Sequence, residues 1–314
     1  MGRGFGLKTD LKQMLLKYNT PRRITQLLSF VFLSAVVFNV GALPVLLPIL
    51  WTWGLSQNAV GDAFTAAQLA LSGWKDAYFA FPWLALASFF IVGILIGKSL
   101  CGWICPFGFI QDLAGFMKRK KTEFAPRTHK STLYLKYIIL ATTLFIGFTF
   151  AASKVAVASD SYQRALGIFA TAPFSALSPS ETLFATLPRM INSAVSGPAQ
   201  DALSVFVNAP ALFWVQLALL VGVLVFVVYV PRGWCRYICP HGALMGILNR
   251  FGFVGLRRQP FKCEKGGCRD CVEACPMRVP ILDLPWEKFS HEECIYCMKC
   301  ADACPNKAIR PTYP

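Results

Sequence analysis

Four stretches of about 20 or more apolar residues constrain this chain more than any other feature: Ile24 to Leu50, Tyr78 to Leu100, Leu133 to Ser153 and Ala211 to Val230. Each is long enough to cross a bilayer as an α-helix, which satisfies its own backbone hydrogen bonds where no water can do so. Composition agrees, with 55% hydrophobic residues, 15% charged and a mean hydropathy of +0.49, against about 25% charged in a soluble domain. Those values exclude an ordinary soluble domain, and a disordered chain too, which requires low hydrophobicity. The first stretch is too long for a signal-peptide core and lacks a small-residue cleavage site, so it reads as a retained helix.

The formal charge of +15 is distributed as a topology signal. Lys and Arg crowd residues 1–23, the connection 101–130 and the segment after Pro231, whereas 51–77 has only Lys75 and 154–209 only Lys154, Arg164 and Arg189. By the positive-inside rule both termini and the second connection face the cytoplasm, and the basic ends favour anionic lipid. Nucleic acid is a poor partner for charge spread over three segments with no binding fold in view.

All twelve cysteines fall in four tight groups, leaving none to act as an ordinary buried hydrophobe. Two groups are copies, Cys101-Gly-Trp-Ile-Cys105-Pro-Phe-Gly and Cys235-Arg-Tyr-Ile-Cys239-Pro-His-Gly. Each follows the cytoplasmic end of an even-numbered span, so spans one and two are repeated by three and four, in parallel about an axis along the membrane normal. Pro106 and Pro240 suit the first turn of a new helix. The four thiols Cys101, Cys105, Cys235 and Cys239 are candidates for a third metal or iron-sulfur centre, for redox-active dithiols, or for a purely structural role.

Residues 294–305 read C-x2-C-x2-C-x3-C-P, the bacterial ferredoxin signature for cubane 4Fe-4S clusters. Three closely spaced thiolates hold one cube and the fourth, before Pro, holds the other. The earlier group, Cys263-x4-Cys268-x2-Cys271-x3-Cys275-Pro276, carries a two-residue insertion after its first cysteine, a start that also resembles plant-type 2Fe-2S spacing. Because Cys275-Pro276 mirrors Cys304-Pro305, the expected exchange places Cys263, Cys268, Cys271 and Cys304 on one cube and Cys294, Cys297, Cys300 and Cys275 on the other. Zinc is the poorer reading, since the x3-C-P ending has no purpose in a zinc site.

The expected architecture is an α-helical membrane protein of four transmembrane helices (24–50, 78–100, 133–153 and 211–230) arranged as two parallel helix-pair repeats, with a C-terminal α+β two-cluster bacterial ferredoxin-like domain. Its expected divisions are a basic N-terminus (1–23), a membrane domain (24–257) and the cluster domain (258–314). The histidines are His129, His241 and His291, none inside an apolar stretch, so a membrane-embedded bis-His haem is not expected. Neither is a flavin or nicotinamide site, for no GxGxxG follows a strand.

These motifs together resemble the NapH-type membrane iron-sulfur proteins, with relatives in MauN and the membrane cores of NosR and CcoG. The resemblance covers nearly the whole chain and implies a quinol dehydrogenase component of a prokaryotic inner membrane. Such a subunit draws on the quinone pool and passes electrons to a partner ferredoxin, cytochrome or reductase subunit. It implies the eight ferredoxin cysteines as cluster ligands and Cys101, Cys105, Cys235 and Cys239 as the family's membrane-face motif. The x4 spacing after Cys263 departs from the common pattern. CcoG-like relatives bring in the alternative of a thiol or copper-type metal-ion reductase, and a redox-sensing or assembly scaffold is a third reading. For a quinone, an apolar slot with one or two polar groups is needed; candidates are His241, Asn39, and Tyr162, Arg164 and Arg189 in the long outer connection.

Overall fold

The structure, a computed structural model, describes residues 18–33, 90–115, 117, 126–155, 159–167, 169, 177–196, 206–264 and 267–313. In chain order these form α1 (Asn19–Leu33), a helical run over 90–96, α2 (Ser99–Trp103), α3 (Pro106–Ala114), α4 (Pro126–Val155) and α5 (Ser159–Leu166). A π-helical turn, Thr182–Thr186, leads into α6 (Leu187–Ser196), followed by α7 (Ala211–Tyr229), α8 (Gly233–Tyr237) and α9 (Pro240–Asn249). Then come β1 (Gly255–Arg258), α10 (Asp270–Glu273), α11 (Lys299–Ala303) and β2 (Ile309–Thr312). Of the first two expected spans only residues 24–33 and 90–100 are described, and Asn39 lies outside the described residues.

Two described helices are long and apolar enough to cross a membrane, Thr128–Phe150 within α4 and all of α7. α7 coincides with the expected fourth span to within one residue. α4 starts at Pro126, seven residues ahead of the expected Leu133, because an apolar run marks hydrocarbon depth while the helix starts where Pro sits in its first turn. Ile138, Phe145 and Val221 are 62%, 68% and 53% exposed, which is what a lipid-facing surface presents. The hydroxyls of Thr142, Thr143 and Thr149 donate to carbonyls one turn back, so they enter that surface already satisfied.

The chain divides into two compact units, Met1–Phe30 with Val92–Phe109 and Met245–Pro314, and Val31–Ile91 with Ile110–Leu244. In the first, β1 pairs antiparallel with β2, with Gly255 opposite Thr312 and Arg258 opposite Ile309, and Leu256 bridges to Phe289. The strand begins three residues ahead of the expected boundary at 258. Residues 276–293 hold a 3-10 turn at Ile281–Asp283 and the single bridge at Phe289. The core gathers Leu256, Met277, Val279, Ile281, Phe289, Ile295 and Ile309 around Cys271, Cys294, Cys297 and Cys300.

Parts far apart in sequence are fastened to this core. Cys101 and Trp103 pack against it, and the Trp103 indole donates to the Tyr296 carbonyl at 2.8 Å. The Gly102 carbonyl accepts Arg22 Nε at 2.9 Å and Gln26 Nε2 at 3.0 Å. Fully buried Asn249 accepts the Lys98 amide at Oδ1 and donates from Nδ2 to the carbonyls of His291 and Cys294. The amides of Tyr18 and Asn19, which open α1, donate to the Asp302 carboxylate in α11 at 3.0 and 2.9 Å.

In the second unit α8 packs on α4, and Leu140, Ala243, Tyr137 and Leu244 form a small apolar cluster.

A Cβ at Gly102 would lie 2.1 Å from the Ile295 carbonyl oxygen, so only glycine permits this approach. Gly102→Ala is therefore expected to destabilise the protein by about 1–3 kcal/mol or more, seen as a lower thermal midpoint of the detergent-solubilised chain. Gly222→Ala, where a Cβ meets nothing within 4 Å, is the control and leaves the midpoint unchanged or raised.

Candidate functional site

The eight C-terminal cysteines line two hollows in the first unit. One is walled by Cys263, Cys268, Cys271 and Cys304 together with Arg258, Lys262, Glu264, Leu282 and Asn306. Cys275, Cys294, Cys297 and Cys300 wall the other, whose remaining lining is apolar apart from the Tyr296 side chain: Leu256, Met277, Val279, Ile281, Phe289, Ile295 and Met298.

Local folding explains why each quartet draws on both groups. α10 carries Cys271 and α11 carries Cys300, and the two short helices pack together. After each Cys-Pro pair the chain makes the same turn: Arg278 (φ 55°) bonds back to the Cys275 carbonyl and Lys307 (φ 49°) to that of Cys304. These left-handed turns swing the last cysteine of each group away from its sequence neighbours. The Ala308 amide donates to Cys304 Sγ at 3.3 Å.

At Cys271, Cys275, Cys294 and Cys300 the electrostatics has one dominant cause, burial. Burial pushes the Cys275 thiol up to about 11, with the nearby Cys297 adding to it, against the pull of the amides of Val279, Met277 and Arg278. The Cys294 and Cys300 thiols are raised by burial first and by neighbouring cysteines second. Cys271 is raised by burial and then by Cys263, Cys268 and Cys304. Four sulfurs this close, shut in with apolar side chains, become thiolates together only around a cationic group. Among the described residues no three His, Cys, Asp or Glu side chains close around a point fit for a single metal ion. Four thiols around a hollow fit a multi-atom cluster, and an iron-sulfur cube ligated by four thiolates matches this donor set.

The paired motifs fold alike. In each, a short helix carries the first cysteine, and the second cysteine bonds back to the fifth residue before it, Cys105 to Leu100 and Cys239 to Trp234, both at 3.0 Å. Each second cysteine then caps a new helix beginning at Pro106 or Pro240, its sulfur accepting the amide of Gly108 or Gly242 at 3.4 Å. The helix N-terminus thus presents its partial positive charge to a sulfur. Cys101 and Cys105 belong to the first unit, Cys235 and Cys239 to the second.

Several residues were not foreseen. Lys98 and Arg232 each stand three positions before the first cysteine of their motif, and both are buried. Lys98 pairs with Glu293 at 3.2 Å, while Arg232 makes a two-pronged pair with Asp112 at 3.1 and 2.7 Å. Alignment of Lys98-Ser-Leu-Cys101 with Arg232-Gly-Trp-Cys235 carries the signal. Gln111 Nε2 donates to Cys235 Sγ at 2.9 Å. His129, at the start of the Thr128–Phe150 span, contacts the Tyr237 hydroxyl at 3.0 Å and Arg236 Nη2 at 2.9 Å.

The quinone candidates are scattered. Tyr162 pairs with the Thr149 hydroxyl and Arg164 with the Asp160 carbonyl, both local contacts. Arg189 lies in α6, and His241 occupies the first turn of α9. His291 accepts the Glu293 amide at Nδ1, and burial holds its pKa below the usual value.

Comparison with known proteins agrees with this chemistry. A family model described as a 4Fe-4S binding domain matches twice, over residues 79–122 and 212–261, and a 4Fe-4S dicluster domain matches 262–309. The chain is 25% identical over 229 residues to the uncharacterized protein MJ0750 of Methanocaldococcus jannaschii, covering 71% of this chain and 75% of that protein. It is 26% identical over 239 residues to the putative electron transport protein YccM of Escherichia coli, covering 75% of this chain but only 56% of YccM. Against the ferredoxin-type protein NapH of Haemophilus influenzae it is 25% identical over 309 residues, 92% of this chain and 87% of NapH. No solved structure matches.

Asp112→Asn removes the carboxylate that buried Arg232 grips with two hydrogen bonds. The expected cost is about 3 kcal/mol, read as a fall in the thermal midpoint in detergent that Asp112→Glu partly avoids.

Proposed function

We propose that this chain, which belongs with the NapH-type ferredoxin proteins and counts NosR and NirI among its relatives, is a membrane electron-transfer subunit that oxidises quinol or reduces quinone. That it is an iron-sulfur electron-transfer protein with ferredoxin-type domains follows from the matches; the quinone, the partners and the ligand assignment are the proposal. The observation that carries it is the packing of Cys101 and Trp103, just beyond an apolar helical run, on the core around the second quartet.

In this reading Cys263, Cys268, Cys271 and Cys304 hold one 4Fe-4S cluster and Cys294, Cys297, Cys300 and Cys275 the other. Such clusters, when bound, supply one-electron uptake and release over a wide range of potentials. Around them this chain's residues do the rest. The apolar lining of the second quartet excludes water, and the Trp103 bond to Tyr296 fixes that wall against the membrane-proximal helix end. The first quartet, with partly exposed Cys263, Cys268 and Cys304, is the one a soluble partner such as a ferredoxin, cytochrome or reductase subunit can approach. Quinol also gives up protons, and the His129, Tyr237 and Arg236 group at the end of a candidate span is placed to receive one. Four spans in two parallel repeats, with the clusters on the cytoplasmic side, complete the proposal; the two matches of one family model, to 79–122 and 212–261, support the repeat.

A second reading is favoured by the helix-capping sulfurs of Cys105 and Cys239, since a thiol at a helix N-terminus is the setting of a reactive one. There the chain reduces a thiol or metal ion. Serine at both positions then abolishes turnover while leaving the C-terminal clusters intact.

The test is anaerobic addition of a menaquinol analogue to the purified chain, with cluster reduction followed by low-temperature EPR and iron counted on the same sample. Reduced cubane signals with about eight irons per chain are expected, and about twelve would add a third cluster. Clusters that dithionite reduces but neither quinol reduces nor quinone reoxidises overturn the quinone reading.

A further inference from the structure

The two hollows differ in charge: Arg258, Lys262 and Glu264 line the first, of which only Arg258 is buried, and no charged side chain lines the second. Arg258, the last residue of β1, is 1% exposed and lines the first quartet's hollow. Strand alternation separates it from its neighbour: Arg257 points to solvent, while Arg258 turns inward with Leu256. Its guanidinium stacks on Trp286, 3.9 Å from the ring centroid, and Nη2 donates to the carbonyls of Leu282 and Leu284 at 3.0 and 3.2 Å. Nε and Nη1 are buried with no hydrogen-bond partner.

Among the described residues no carboxylate pairs with Arg258. Glu264 lines the same hollow, but it is exposed and engaged with Asn306 at 3.1 Å. Buried charge without a counter-charge is costly, and two orphaned guanidinium donors add to the cost. Trp286 and two carbonyls offset part of it. The remaining anion on that wall is the sulfur quartet itself, Cys263, Cys268, Cys271 and Cys304, once it is thiolate around a cluster. The second hollow has no equivalent. Lys98, whose charge is felt at Cys294, is paired with Glu293 at 3.2 Å and does not line that hollow, whose wall beyond the cysteines and Tyr296 is apolar.

We infer that Arg258 is the counter-cation of the first quartet, a positioning residue whose unpartnered N–H groups serve the sulfurs there and whose charge favours the reduced form at that site over the second. The inference rests on the reading that both quartets hold 4Fe-4S clusters. The sign follows from charge: reduction adds an electron to an already anionic group, and a fixed cation beside it favours that addition. An electron shared between the two sites then resides mainly at the first, the more exposed one.

The test uses the full chain in detergent, loaded with iron, and titrates both clusters with dithionite by low-temperature EPR. Arg258→Met and Arg258→Gln remove the charge and Arg258→Lys keeps it. The signal belonging to the first quartet is identified by its loss in Cys268→Ser. In the neutral variants that cluster is expected to become at least tenfold harder to reduce, about 59 mV for a one-electron couple, while the other changes by less than threefold and the Lys variant stays within threefold of the unsubstituted chain. Neutral variants that titrate as the unsubstituted chain overturn the inference. So does a Lys variant shifted as far as Met, because packing and not charge is then responsible. If both neutral variants lose iron from the first site, retention by the Lys variant supports the inference and loss there overturns it. An unsubstituted chain without two cubane signals instead overturns the reading on which it rests.

Discussion

The sulfurs gathered around two hollows of one compact unit impose the constraint from which the rest of that unit follows. Burial makes the thiols of Cys271, Cys275, Cys294 and Cys300 resist ionisation, and thiols so placed become ligands only with something cationic among them. In the proposed reading the apolar residues that close the second hollow line a site as well as form a core. Their tight packing explains why β1, β2 and two short helices suffice for a stable fold with so little regular structure. The sheet has two strands and α10 and α11 four and five residues, so in the proposed reading cross-links through bound clusters replace the area that larger elements would bury.

The same core explains why segments distant in sequence converge. Gly102 touches the Ile295 loop with no side chain between, and Asn249 bonds at once to Lys98, His291 and Cys294. The membrane-proximal cysteine motif and the cluster loop are thus two sides of one packed object. The expected division at residue 258 treats them as separate domains; the compact unit takes in 92–109 and begins its C-terminal part at Met245.

Much of this was legible because ligand spacing and proline are strong local signals. The C-x2-C-x2-C-x3-C-P spacing says which three cysteines lie together and which one turns away, although only Cys300 of the four lies on the short helix α11. Pro106, Pro126 and Pro240 mark helix starts independently of any hydropathy profile, and the start of α4 follows Pro126 where the apolar window does not. Less legible were residues whose role is set by burial alone. Nothing in Arg257-Arg258 says which faces inward until the strand's register is known, and in isolation Lys98 and Arg232 look like ordinary juxtamembrane charges. Their carboxylate partners lie 195 and 120 residues away, beyond the reach of any spacing rule. The proposed quinone site is the least legible, for an apolar slot with one or two polar groups has no sequence period.

The contact between α1 and Asp302 bears on how the molecule is made. The amides at the start of α1 are satisfied by a carboxylate 284 positions after Tyr18. During synthesis that carboxylate does not exist until long after the helix does, so the start of α1 stays uncapped until the segment carrying Asp302 has been made and folded against it. Folding is thereby ordered in time: the helix comes early, and its cap is supplied late.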